Sequence, residues 1–263
     1  MLPEPDLLDR VIPIARAAGA IVMAVYATEF EVGGKSDASP VTEADHRAEA
    51  LIVPALAALT PGVQVVSEEA ACEGRVPQIA ERFWLVDPLD GTREFIDRNG
   101  EFTVNIALVD RGAPVLGVVL APALERLFAG ADGAGAFFED ASGQRSRIAC
   151  RRLPLEGLTV VSSRSHGDTQ ALDTYLAGRA VAARVNAGSS LKFCLVACGE
   201  ADVYPRFGRT MEWDTAAGHA VLRAAGGSVT DLDGTELRYG KPGFANPHFV
   251  AAGVSFPARR SRD

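Results

Sequence analysis

The stretch Trp84-Leu85-Val86-Asp87-Pro88-Leu89-Asp90-Gly91-Thr92 decides the reading of this chain. Its first three residues have the character of a buried strand, and the strand runs into Asp87. Pro88 is expected to bend the chain there, so that Asp87 and Asp90, separated by a turn, converge on one point. Gly91 and Thr92 then open a short helical stretch whose first N–H groups lack partners within the helix. Such free N–H groups form an anion site. Two carboxylates beside an anion site repel the anion unless a cation lies between them. Hard oxygen ligands next to an oxyanion are the surroundings Mg²⁺ prefers, and the Leu89 carbonyl can add one more oxygen. Taken alone, the run serves equally well as a turn with an Asp cap.

Other acidic groups tilt that balance. Val65-Val66-Ser67-Glu68-Glu69 is a second apolar strand ending in carboxylates. Glu212-Trp213-Asp214-Thr215-Ala216-Ala217-Gly218 places Asp214 at the start of a helix, where in isolation it reads as an N-cap. Asp45, just after Thr42, reads on its own as a solvated helix charge. These separate acidic groups all fall at the ends of elements, and together they are harder to explain as solvated charge.

The surrounding pattern is α+β at first and α/β later. Apolar residues recur at helical spacing from Asp6 to about Glu29, with Pro13 inside and Gly33-Gly34 beyond. A second helix is expected over 42–59, with Thr42 or Ser39 near its start and Pro61-Gly62 at its end. Strands are expected at 63–66, 83–86, 103–109, 115–120, 126–129 and 135–138, the later ones as an antiparallel sheet. The glycine-rich run 130–135 lacks a strand-turn-helix context and reads as a hairpin turn. After about Cys150, strands (159–162, 181–185, 201–204, 227–230) alternate with helices (168–176, 190–198, 213–225). The expected organisation is an α+β half over 1–150 and an α/β half over 151–263, packed as one unit with a cleft between them.

The 263 residues are enough for a sizeable core, and 48% hydrophobic with 23% charged residues is an ordinary globular balance. With 26 Lys and Arg against 34 Asp and Glu, the net charge is −8, which argues against nucleic-acid binding. The apolar stretch 17–27 is shorter than the roughly 20 residues of a membrane span. Glu4, Asp6 and Asp9 are unlike the positive start of a secretory signal. Four cysteines are too few for a disulfide scaffold. Cys194 and Cys198 share a helix face but lack a second metal-ligand pair, so they read as core thiols. The expected location is the cytoplasm, with peripheral attachment to the inner membrane left open.

The order Glu68-Glu69, Asp87-Pro88-Leu89-Asp90-Gly91-Thr92, Trp213-Asp214-Thr215-Ala216-Ala217-Gly218 resembles the inositol monophosphatase superfamily of Mg²⁺-dependent, lithium-sensitive phosphatases. The resemblance spans nearly the whole chain and implies the layered αβαβα fold of the fructose-1,6-bisphosphatase and inositol monophosphatase type. The runs from Gly91 to Ile96, Asn99 to Ala107, Gly188 to Phe193 and Tyr204 to Gly208 are similar to the CysQ branch. That branch comprises 3'(2'),5'-bisphosphate nucleotidases, which remove the 3'-phosphate from adenosine 3',5'-bisphosphate, a by-product of sulfate activation.

The resemblance implies metal-ligand roles for Glu68, Asp87, Asp90, Asp214 and the Leu89 carbonyl, with about two or three Mg²⁺ ions per site. It implies that Asp45 and Thr92 orient and activate the attacking water, and that Glu69 binds a weakly held metal or the water. Gly91 and Thr92 would hold the phosphoryl group through their N–H groups. Lys192, on a helix opening at Ser189, and Arg206 are candidates for a second phosphate. Inositol phosphatases carry a Glu near the Arg206 position, which suits sugar hydroxyls, whereas a guanidinium grips phosphate. His166 matches a base-contacting position, and the alternative for a lone loop His is a polar surface residue. The expected substrate is a small phosphorylated nucleotide, acted on by a monomer or homodimer. The alternatives are another sugar, inositol or histidinol phosphatase of the superfamily and, less well supported, a non-catalytic binding protein. The basic tail 259–262 reads as a solvated end.

Overall fold

The computed structural model describes residues 4–28, 40–164 and 168–254. The expected features at Glu29, Gly33-Gly34, Ser39, His166 and 259–262 lie outside them. The first half contains helices α1 (Glu4–Tyr26) and α2 (Pro40–Leu59), strand β1 (Gln64–Ser67), helix α3 (Glu68–Cys72), strand β2 (Arg82–Asp90) and helix α4 (Thr92–Ile96). Strands β3 (Thr103–Asp110), β4 (Ala113–Ala121), β5 (Arg126–Ala131), β6 (Gly135–Glu139) and β7 (Arg145–Ile148) follow. The second half runs β8 (Leu158–Ser163), α5 (Thr169–Leu176), β9 (Val181–Ala187), α6 (Leu191–Ala197), β10 (Val203–Arg206), α7 (Trp213–Ala224), β11 (Ser228–Asp231) and β12 (Phe249–Ala252).

Two sheets result. The first has the order β1-β2-β3-β4-β5-β6-β7, with β1 parallel to β2 and the other pairs antiparallel. The second has the order β11-β12-β10-β8-β9, with β8 parallel to both neighbours and β12 antiparallel to both of its own.

Alternation along the strands sends side chains to two different cores. Trp84, Val86 and Leu116 face α1 and α2, where they meet Leu7, Val11, Ile52 and Leu56. Phe83, Leu85 and Val119 face the other way and meet Phe193, Trp213 and Val221 of α6 and α7. Tyr204 and Phe249 of the second sheet complete that central core. Leu172 and Leu176 of α5 cover the outer face of the second sheet against Val160, Val203 and Val250. The layers therefore run α, β, α, β, α, the fold class expected from the sequence. The run 130–135 is the β5–β6 hairpin, with Ala131 opposite Gly135.

The sequence reading missed β7 and β12. β7 is a polar, largely exposed edge strand whose Arg145 pairs with Glu139 and Asp9. Charge at a sheet edge blunts edge-to-edge pairing and erases the apolar alternation that betrays a strand. β12 is a fully buried four-residue apolar run, too short for its period to be read.

The central helix sits unusually close to the first sheet. A Cβ at Gly117 of β4 would meet the Ala217 carbonyl oxygen of α7 at 2.3 Å. Gly117→Ala is expected to cost about 1–3 kcal/mol by overpacking, read as a lower urea midpoint. An unchanged midpoint would contradict this packing.

Candidate active site

Asp87 and Asp90 stand three apart, a spacing that puts residues of a regular strand on opposite faces. The chain solves this with a β-bulge. Asp87 pairs with Asn105 and Asp90 with Thr103, so Pro88 and Leu89 together oppose the single residue Val104. The extra residue restores the phase, and both carboxylates face the side of the sheet that carries α6 and α7. Pro88 has no N–H to donate, and a bulge is where a strand tolerates that. This corrects the expected turn: the strand continues through Pro88 to Asp90. The Leu89 side chain is buried in the α1–α2 core, and its N–H donates to Asp87 Oδ1 at 3.1 Å.

Two other elements bring their ends to the same place. β1 ends at Ser67, and Glu68 and Glu69 begin α3, a helix the sequence reading took only as the strand's end. Asp214 lies in the first turn of α7 but does not cap it. Its Oδ2 accepts from the Met211 N–H at 2.8 Å, while Ser190 Oγ donates to the Asp214 carbonyl at 2.8 Å. Glu68, Asp87 and Asp214 each present a carboxylate oxygen, all within 4.8 Å of one another. This acidic cluster can bind a metal ion. Asp90 adjoins it and is held by Asn105 Nδ2 at 3.3 Å.

The electrostatics say the same. Burial, followed by the Asp90 charge, lifts Glu68 to about 7. Burial and then Asp90 lift Asp214 to about 8. Burial and the charges of Glu68, Asp90 and Asp214 push Asp87 well above the carboxylate range. Asp90 is raised by burial and drawn back by Lys192 and by hydrogen bonds from Ser189 and Asn105. Oxygen-only donors that repel one another in a buried place fit a hard divalent cation.

Asp45 is buried near the start of α2, and burial with the charges of Glu69, Glu68 and Glu49 raises it to about 9. It makes no hydrogen bond to Thr92, which is exposed at the start of α4. Glu69 is raised by burial, and His46 Nε2 lies 3.7 Å from it. Glu49, one turn after Asp45, went unnoticed in the sequence; its helical spacing from Asp45 was the available signal.

A cavity of about 610 Å³ opens beside the carboxylates, lined by Asp90, Gly91 and Thr92 from the first half and by Ser189, Lys192, Arg206 and Asp214 from the second. Arg93 and Arg209, also unread in the sequence, line it too. Arg206 ends β10, and its Nη2 donates to the Arg209 carbonyl at 3.2 Å. Lys192 is placed differently from the expectation of a solvent-facing phosphate ligand. It is buried, its Nζ donates to the carbonyls of Ser189 (2.5 Å) and Ala187 (3.3 Å), and burial lowers it to about 8. Cys194 is buried in the central core, and burial pushes its thiol up.

The sequence profile of the inositol monophosphatase family matches residues 6–256. The chain belongs to the inositol monophosphatase family. It is 50% identical over 248 residues to the 3'(2'),5'-bisphosphate nucleotidase CysQ of Escherichia coli strain K12, covering 92% of this chain and 98% of the relative. Its fold is similar to the crystal structure of CysQ from Bacteroides thetaiotaomicron, a bacterial member of the family. That match has a TM-score of 0.82 and 37% identity, covering 95% of this chain and 98% of the other. The inositol monophosphatase family protein of Thermotoga maritima follows at a TM-score of 0.75 and 28% identity, covering 94% and 92%. No described helix is long and apolar enough to cross a membrane.

The raised carboxyl groups make the cation-free protein sensitive to pH. Glu68, Asp214 and Asp45 stand at about 7, 8 and 9 in the folded state, above their unfolded values. The native state therefore holds more protons than the unfolded chain. Their contribution to stability is complete below the unfolded carboxylate range and is lost as pH rises through the folded values. The melting temperature in chelator should fall between about pH 5 and 9, and excess Mg²⁺ should flatten that fall. A melting temperature in chelator that does not fall over this range would contradict the clustering.

Proposed function

We propose that this chain is a Mg²⁺-dependent phosphomonoesterase that removes the 3'-phosphate from adenosine 3',5'-bisphosphate, giving AMP and phosphate. The observation that carries the reading is the meeting of Glu68, Asp87 and Asp214 beside a cleft whose far wall carries Arg206. The 50% identity to a protein named as a bisphosphate nucleotidase supports the substrate class.

In this reading Glu68, Asp87, Asp90, Asp214 and the Leu89 carbonyl hold two or three cations, with Glu69 serving the most weakly held one. When bound, Mg²⁺ supplies positive charge to the phosphoryl oxygens and the leaving oxygen and makes water more acidic. Gly91 and Thr92 N–H groups bind the phosphoryl oxygens. With the charges of Glu68 and Glu69 neutralised, Asp45 loses the repulsion that keeps it protonated. Its carboxylate then takes the water's proton through the Thr92 hydroxyl. Arg206 grips the second phosphate, which an acidic residue at that position would repel. Lys192 contributes its charge, and its remaining N–H, to the same wall. The same second-phosphate grip extends to the sulfated analogue of the substrate.

Phosphate release tests the proposal directly. Adenosine 3',5'-bisphosphate should be hydrolysed more efficiently than inositol 1-phosphate, and chelator should abolish both activities. Faster hydrolysis of inositol 1-phosphate would refute the role given to Arg206. Arg206→Ala should raise KM for the bisphosphate by at least about tenfold while sparing small monophosphates. Equal losses on both would contradict a selective role. Asp90→Asn should raise the Mg²⁺ concentration needed for half activity, because a neutral amide is a poorer ligand. Unchanged activity at limiting Mg²⁺ would remove Asp90 from the cation site.

A further inference from the structure

Ser189 has a φ of +50°, in the left-handed region that a side chain disfavours. A glycine would fit that conformation more easily. The turn is nevertheless held from several sides. The Gly188 N–H donates to Glu101 Oε2 at 2.8 Å, and Arg164 holds the same carboxylate through Nε at 3.0 Å and Nη2 at 2.8 Å. Gly188 packs so closely that a Cβ there would meet the Glu101 carbonyl oxygen at 2.6 Å. From beneath, buried Lys192 donates to the Ser189 and Ala187 carbonyls. A disfavoured backbone persists where its surroundings over-determine it, and such sites cluster where function needs them.

The turn delivers one hydroxyl. Ser189 Oγ contacts Thr103 Oγ1 and reaches the Asp90 carboxylate. One of its lone pairs accepts the Ser190 N–H at 2.5 Å. Thr103 Oγ1 can donate to Ser189 or to Asn105 Oδ1, 3.1 Å away. The Ser189 proton is thus left for the strongest acceptor in reach, the ionised carboxylate. Asn105 holds that carboxylate from the strand below, and Ser189 holds it from the opposite half of the molecule.

We infer that Ser189 is a positioning residue. Fixed in a strained turn by Lys192 and by the Glu101–Arg164 pair, it donates its hydroxyl to Asp90 and sets the direction in which that carboxylate faces a divalent cation. The serine sacrifices backbone stability for this contact. The inference rests on the proposed place of Asp90 in the cation site.

Two variants of the full chain separate hydroxyl from strain. Ser189→Gly and Ser189→Ala both lose the hydroxyl, but only glycine relaxes the backbone. Calorimetric titration with MgCl₂, without substrate, should show affinity about tenfold weaker in both, the order of one hydrogen bond to a charged group. In chelator, Ser189→Gly should melt at or above the parent and above Ser189→Ala. Mg²⁺ affinity within about twofold of the parent in both variants would overturn the positioning role. Ser189→Gly melting below Ser189→Ala would overturn the strain. A parent chain that binds no Mg²⁺ would instead overturn the cation site itself, so the two failures are told apart.

Discussion

The rest of the site depends on the mutual repulsion of carboxylates buried at one point. Glu68, Asp87 and Asp214 offer oxygens within 4.8 Å of each other, and Asp90 stands beside them. Burying one unpaired carboxylate is costly, and burying several together is costlier still. The fold spends specific contacts to keep them there: the Leu89 N–H on Asp87, the Met211 N–H on Asp214, and Asn105 and Ser189 on Asp90. A group that binds protons weakly when its neighbours are neutralised binds them tightly when they are not. Proton and cation therefore compete for the same oxygens.

One backbone irregularity makes the cluster geometrically possible. Without the bulge opposite Val104, Asp90 would face the α1–α2 core, where Trp84, Val86 and Leu89 lie. The pairing with Asn105 and Thr103 also places two polar side chains under the carboxylates, in a strand otherwise packed with apolar ones. The close seat of α7 on Gly117 then brings the start of that helix, with Asp214, to the same side of the sheet.

Much of this was legible in the sequence. Asp87, Asp90, Glu68 and Asp214 stand out because each follows an apolar run or opens one, so their element-end placement can be read from periodicity. The layered fold followed from the change of pattern near Cys150. The bulge was not legible, because a proline between two aspartates signals a turn more strongly than an extra residue in a continuing strand. Lys192 was read from its helix-start position, but its carbonyl partners lie in the turn that the fold folds back beneath it. The strain at Ser189 had no sequence signal at all, since a left-handed serine is identified by its backbone and not by its neighbours. Net charge misled in the same way. The value of −8 counts the cluster's carboxylates but not where they sit, while Arg93, Lys192, Arg206 and Arg209 line the cavity beside them.

The central claim is that these carboxylates are a cation site held partly protonated by burial and repulsion. Its most direct test is calorimetric titration of Mg²⁺ at pH 7 in buffers of different ionisation enthalpy, which counts the protons exchanged on binding. The account predicts binding with net proton release, because Glu68, Asp87, Asp214 and Asp45 are raised in the cation-free state. Binding with no proton release, or no binding, would contradict it.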